Sequence, residues 1–153
     1  MSEPVTRALV EAFYQAYAER APDKIGQFLD DDVEWTVSGP VDVLPFCGTR
    51  HGKAAVLDLF TRLIPEVFRV FSVVPDAMLV DGDQAATLSR LSAKSGDGRI
   101  ISYRLAHFLR FRAGKIIRNV SLIDSFDAAE QVLGYPLDVH ECERREAGDL
   151  IAV

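Results

Sequence analysis

An α+β fold follows from three features of the sequence. Apolar residues recur at helical spacing near the start, strand-like runs dominate from Phe68 onward, and glycine-bearing connectors separate those runs. Helices placed ahead of successive hairpins imply one strongly curved antiparallel sheet wrapped around the first and third helices.

Val5, Leu9, Ala12, Phe13 and Ala16 recur every three or four residues, and Val10, Tyr14 and Tyr17 widen that stripe. The spacing predicts an opening amphipathic helix that stops near Arg20-Ala21-Pro22. Pro22 suits a first helical position, so Ile25, Phe28 and Leu29 belong to a short second helix running into Asp30-Asp31-Asp32. Val33, Trp35 and Val37 alternate with Glu34 and Thr36 as in a half-buried strand. Gly39, Pro40, Pro45, Gly48 and Gly52 oppose regular structure over 38–52, while Val41, Val43, Leu44 and Phe46 give the segment an inward side, the pattern of a lid. A third helix with Val56, Leu59, Phe60 and Leu63 on its apolar face ends near Pro65. Strands are then expected over 68–74, 77–80, 85–93, 100–111 and 116–123. Asp81-Gly82-Asp83, Ser95-Gly96-Asp97-Gly98 and Ala113-Gly114-Lys115 supply tight turns, so consecutive strands should pair antiparallel. A last helix, Ser125 to Leu133, has Asp124 or Ser125 to cap it and Gly134 and Pro136 to stop it.

The 153 residues fit one domain, 1–137, followed by a charged tail, 138–153, without apolar period. With 48% hydrophobic and 26% charged residues the composition is that of a globular protein, and no apolar run approaches the ~20 residues that span a bilayer. Met1-Ser2-Glu3-Pro4 lacks the basic-then-apolar pattern of a secretory signal, so a cytoplasmic location is expected, with no membrane partner. Seventeen basic against twenty-three acidic residues, net charge −6, oppose a nucleic-acid partner. Arg104, Arg110, Arg112, Lys115 and Arg118 do gather on the final hairpin, at positions that alternation assigns to a solvated face. Cys47 and Cys142 belong to no ligand-spaced cluster and read as reduced thiols, which gives no metal site. No glycine-rich phosphate loop is present, and no cofactor is expected.

The residue that points to chemistry is His107, set among Leu105, Phe108, Leu109 and Phe111. An imidazole buried there without a partner costs about 1–3 kcal/mol, so it must be hydrogen-bonded, ligated or open to a cavity. Two readings follow: a pocket acid–base group titrating near neutrality, or a core histidine bonded to a carbonyl or carboxylate.

Val33-Glu34-Trp35 after the acidic turn, Leu44-Pro45-Phe46-Cys47-Gly48-Thr49-Arg50-His51-Gly52, Phe111-Arg112-Ala113-Gly114-Lys115-Ile116-Ile117, and Asp124 leading to Leu133-Gly134 form a recognisable series. Over residues 9–134 it resembles the SnoaL-like branch of the nuclear transport factor 2-like superfamily. The resemblance implies a cone-shaped barrel of the cystatin-like type, a small-molecule pocket at its open end, and homodimers joined through the outer sheet. It also implies a range of work: polyketide cyclases, ketosteroid isomerases, epoxide hydrolases, dehydratases and non-catalytic binding proteins.

By the same resemblance His107 matches a pocket histidine of the cyclases. Asn119 and Ser121 stand where those cyclases carry a histidine and an acidic base, so here they are expected to bind a polar group of the ligand. Asp124 matches a recurrent aspartate at the strand-to-helix junction and is read either as the helix cap or as a pocket carboxylate. Tyr14 falls where a ketosteroid-isomerase-like site places an oxyanion donor. Tyr17, Trp35 and Phe46 are candidate pocket walls, and an epoxide-hydrolase-like site would need Arg90 to turn inward toward Asp124. His51 is expected at the surface, and Asp58 and Arg62, four apart on a helix, as an exposed ion pair. The expected function is therefore acid–base chemistry of isomerase, cyclase or dehydratase type on a small apolar carbonyl compound, with His107, Tyr14 and Asp124 as candidate catalytic residues. The alternative is a non-catalytic ligand-binding or dimeric structural protein on the same fold.

Overall fold

In the computed structural model, which describes residues 3–138, Thr6 starts the first helix, α1 (Arg7–Glu19). Its Oγ1 accepts from the Leu9 amide at 3.2 Å, and Arg20 ends the helix in the left-handed region at φ 51°. The apolar stripe of α1 is buried through Val10, Phe13, Tyr14, Ala16 and Tyr17. Pro22 opens α2 (Pro22–Gln27), which buries Ile25.

The third helix departs from the expected stop at Pro65. It runs as α3 (Lys53–Asp58), passes through a π turn at Leu59–Leu63, and continues as α4 (Ile64–Val67). The Ile64 amide reaches back to the Leu59 carbonyl, so Pro65 falls in a new first turn where its missing N–H breaks no hydrogen bond.

Six strands form one sheet in the order β2-β1-β6-β5-β4-β3. They are β1 (Leu29–Ser38), β2 (Gly48–His51), β3 (Phe68–Asp81), β4 (Gln84–Ser95), β5 (Ile100–Arg112) and β6 (Lys115–Ile123). The hairpins β3-β4, β4-β5 and β5-β6 are antiparallel as their turns require, whereas β1 lies parallel to β6. Two expectations are corrected here. The runs 68–74 and 77–80 are a single edge strand, β3, whose register shifts between Pro75 and Ala77, and an edge bulge is where a sheet tolerates proline. Within 38–52, residues Gly48–His51 form the short strand β2, paired antiparallel to β1 with Trp35 opposite Arg50.

Loop 39–47 folds inward, burying Leu44, Phe46 and Cys47. The Arg50 guanidinium holds it, donating to the carbonyls of Pro45 (2.9 Å), Phe46 (3.0 Å) and Cys47 (3.2 Å). Helix α5 (Ser125–Leu133) closes the described fold, with Gly134 at φ 82° and Arg99 donating to the carbonyls of Gln131 (2.9 Å) and Val132 (2.8 Å) at its C-terminal end. The expected charged tail lies outside the described residues, except Asp138. Among the described residues, no helix is long and apolar enough to cross a membrane.

Candidate active site in the cone

Strand register builds the site. Thr87 on β4, His107 on β5, Ser121 on β6 and Val37 on β1 stand side by side in one row, and all four are buried against the helices. Over this row α1 lays Tyr14, and one turn later Tyr17. The Tyr14 hydroxyl is 2.6 Å from His107 Nδ1 and 2.5 Å from Thr87 Oγ1, and its ring stacks on the imidazole at 5.8 Å. The rings of Tyr17 and Trp35 lie 6.3 and 6.4 Å from that of His107. Trp35 meets Phe60 edge-on at 5.6 Å, and Phe46 from the loop tilts on Phe68 at 5.6 Å.

These side chains enclose a cavity of about 40 Å³, room for a few water molecules. Aromatic residues dominate the wall, and its polar groups are those of His107, Tyr17, Tyr103, Trp35 and Ser121; among the described residues no carboxylate or cationic side chain lines it. His107 Nε2, Trp35 Nε1 and the hydroxyls of Tyr17 and Tyr103 have no hydrogen-bond partner among the described residues. Burial pushes the His107 pKa down to about 4, so the imidazole is neutral at physiological pH. The same desolvation raises the phenol pKa of Tyr14, Tyr17 and Tyr103 far above the ordinary value, so none is a phenolate there.

Of the residues singled out in the sequence, His107, Tyr17, Trp35, Phe46 and Ser121 line the cavity, and Tyr14 stands directly behind His107. Asn119 is fully buried but lies off the wall, donating from Nδ2 to Ser121 Oγ at 2.7 Å while its Oδ1 has no partner among the described residues. Two expectations fail. Arg90 is exposed on the outer face, because the inward set of β4 is Ala85, Thr87, Ser89 and Leu91, and period-two alternation sends residue 90 the other way. Asp124 neither enters the cavity nor caps α5 with its side chain: its carboxylate accepts from Arg104 Nε at 3.0 Å on the outside, and only its backbone carbonyl joins the helix, to the Ala128 amide at 2.8 Å. The Arg90–Asp124 pair of an epoxide-hydrolase-like site is therefore not assembled.

Three arginines of the last hairpin are held in surface ion pairs, Arg110 with Asp83, Arg112 with Asp30 and Arg118 with Glu34, and Lys115 donates to the Gln27 carbonyl. Arg62 pairs with Asp58 on the exposed helix face as its spacing indicates. Thr87 and Tyr103, which complete the polar lining and its support, were not singled out from the sequence. Their signal was there: each shares the face of β4 or β5 that carries the inward apolar residues.

Comparison with solved structures supports this architecture. A protein from Rhodopseudomonas palustris provisionally called an isomerase is 34% identical, with 82% of this chain and 93% of that chain aligned at a TM-score of 0.72. TerC, co-crystallized with polyporic acid, aligns over 82% of this chain and 96% of that one at 21% identity and TM-score 0.75. An M. tuberculosis epoxide hydrolase of the LEH-like kind aligns over 83% and 88% at 20% identity and TM-score 0.67. These last two likenesses, both under 25% identity, show the fold alone. No curated protein sequence matches the chain. The family model described as the SnoaL-like domain matches residues 10–119, which include most of α1, the loop, Thr87 and His107, and which end at Asn119, two residues before Ser121. The chain belongs to the SnoaL-like family.

Proposed function

We propose that the chain is a small-molecule enzyme carrying out acid–base chemistry of isomerase, cyclase or dehydratase type on an apolar, carbonyl-bearing compound. The observation that carries this reading is His107: a neutral imidazole, 2% exposed, with one nitrogen fixed by Tyr14 and its ring on the wall of an aromatic cavity. A neutral imidazole in a water-poor site stabilises charge developing on a substrate oxygen without reorganising at the moment of reaction. Tyr17, Tyr103 and Trp35 add donors around it, and the apolar rings supply the area that a ligand would bury. The 34% identity to the R. palustris protein provisionally called an isomerase supports such work.

At about 40 Å³ the cavity admits no substrate as it stands, so in this reading binding requires the wall to give, and the irregular loop carrying Phe46 is the part of it outside helix and sheet. In this reading Tyr14 positions His107, Ser121 with Asn119 behind it offers a polar contact, and Asp124 and Arg90 take no part.

One observation favours a second reading: among the described residues the cavity wall holds no carboxylate to remove a carbon-bound proton, as suits a protein that binds its ligand without turning it over. A panel of enones, β-dicarbonyls and hydroxy-carbonyl compounds separates the two. The enzyme reading expects product from at least one, reduced about 100-fold or more in His107→Gln. Binding without product across the panel, or turnover unchanged in that variant, contradicts it.

A further inference from the structure

Hydroxyl groups carry one proton each, and this fixes the direction of the chain Thr87–Tyr14–His107. Thr87 Oγ1 and the Tyr14 hydroxyl are both buried, and Tyr14 is the only partner of Thr87 Oγ1 among the described residues. If Tyr14 donated to Thr87, the Thr87 proton would be buried with no acceptor, since nearby Ser89 Oγ makes no hydrogen bond. If Thr87 donates to Tyr14, the Tyr14 proton is free for His107 Nδ1, both hydroxyl protons have acceptors, and the one proton left over is on Nε2 of His107, which lines the cavity as Thr87 does not. Chemistry agrees with the count, because a phenol is a far better donor than an aliphatic hydroxyl and an imidazole nitrogen a far better acceptor.

We infer that Thr87 and Tyr14 are positioning residues that hold His107 as the Nε2–H tautomer, so the group facing the cavity is a hydrogen-bond donor and not a base. This deepens the proposed function and rests on it for its catalytic meaning. A neutral N–H at the cavity wall recognises a carbonyl or enol oxygen, and charge growing on that oxygen is met by Nε2–H while Nδ1 draws more strongly on Tyr14. The donors around it, Trp35 Nε1 and the hydroxyls of Tyr17 and Tyr103, fit the same acceptor-rich ligand. Because no described residue on the wall accepts a carbon-bound proton at neutral pH, the fitting substrate is one already enolised or easily enolised, such as a β-dicarbonyl, for which polarisation of the oxygen suffices.

The test needs no substrate. Nitrogen-15 chemical shifts of histidine-labelled full-length protein report which ring nitrogen carries the proton, and only three histidines have to be told apart, with His51→Gln and His140→Gln providing the assignment. His107 is expected with Nε2 protonated and Nδ1 bare at neutral pH. In Thr87→Val that pattern should persist, since Tyr14 still donates to Nδ1; if the chain ran the other way, loss of the Thr87 acceptor would turn Tyr14 onto Nδ1 and switch the tautomer. In Tyr14→Phe the single tautomer should give way to a mixture. A proton on Nδ1 in the unmodified protein, a switch in Thr87→Val, or an unaltered single tautomer in Tyr14→Phe overturns the inference. A confirmed Nε2–H without turnover of any compound would instead sink the catalytic reading and leave the chain of hydrogen bonds standing.

Discussion

His107 ties the fold to pH. Its pKa is about 4 in the folded chain, pushed down by burial, against 6.5 for the free side chain. Above pH 6.5 both states are neutral and the full stability is present. Between 6.5 and 4 the unfolded chain takes up a proton that the folded chain refuses, so stability falls as the pH falls, and the loss levels off below 4. The size of the effect is about 3 kcal/mol. Most of the upper half of this window precedes titration of the surface carboxylates Asp30, Asp58 and Asp97, whose pKa values are lowered by their hydrogen bonds. Denaturant unfolding between pH 7 and 5 should therefore show a slope in the parent protein that vanishes in His107→Gln; an identical slope in both would contradict the buried neutral imidazole. At this scale the sequence was legible where a residue broke its pattern. A histidine in an apolar strand announced itself, and Asp58–Arg62 followed from helical spacing. Arg90 and Asp124 were not readable in the same way, because alternation fixes relative faces but not which face looks inward until the neighbouring strands are placed.

Among the elements, the loop 39–47 and strand β2 form the working part. Arg50 on β2 is half-buried and makes no ion pair among the described residues, and its guanidinium is spent on three loop carbonyls. Burial holds the Cys47 thiol up to about 11, which makes it slow to react while the loop is seated. Arg50→Ala removes the clamp, and the expected outcome is a destabilisation of about 1–3 kcal/mol. Modification of Cys47 by a thiol reagent should speed up markedly, measured in a Cys142→Ser background; unchanged labelling would mean that Phe46 and Leu44, not Arg50, hold the loop. The apolar residues within 38–52 pointed to an inward side, which burial of Leu44 and Phe46 bears out, but β2 was hidden because a glycine and three polar residues carry no alternating apolar strand signal. The π turn before Pro65 was hidden for a related reason. A proline marks where a hydrogen bond is lost, not whether a neighbouring turn widens to absorb the loss.

The whole molecule presents two faces of one sheet. The inner face holds the cavity; the outer face of β4, β5 and β6 carries two apolar rows in register, Leu88–Ala106–Leu122 and Ala86–Phe108–Val120, with Phe108 51% exposed. Arg104–Asp124 borders them on one side and Arg110–Asp83 on the other. An apolar patch framed by residues of both charges suits a two-fold partner, and we propose that this face joins two copies. Sedimentation should give a dimer that Phe108→Glu converts to a monomer, and a monomeric parent protein would remove the proposal. The architecture was the most legible level, since turn chemistry and periodicity agree along the final three hairpins. The parallel placing of β1 beside β6 was not, because it depends on closure of the whole sheet.

Trp35 is the single tryptophan and sits on the cavity wall beside His107, so its fluorescence reports on the chamber directly. Titration of the protein with a planar β-dicarbonyl series should quench that emission with saturation, and His107→Leu should weaken binding about tenfold, the worth of one buried hydrogen bond. Compounds that bind without disturbing Trp35, or bind equally well to the His107→Leu protein, would show that the cone and its imidazole are not where this chain meets its ligand.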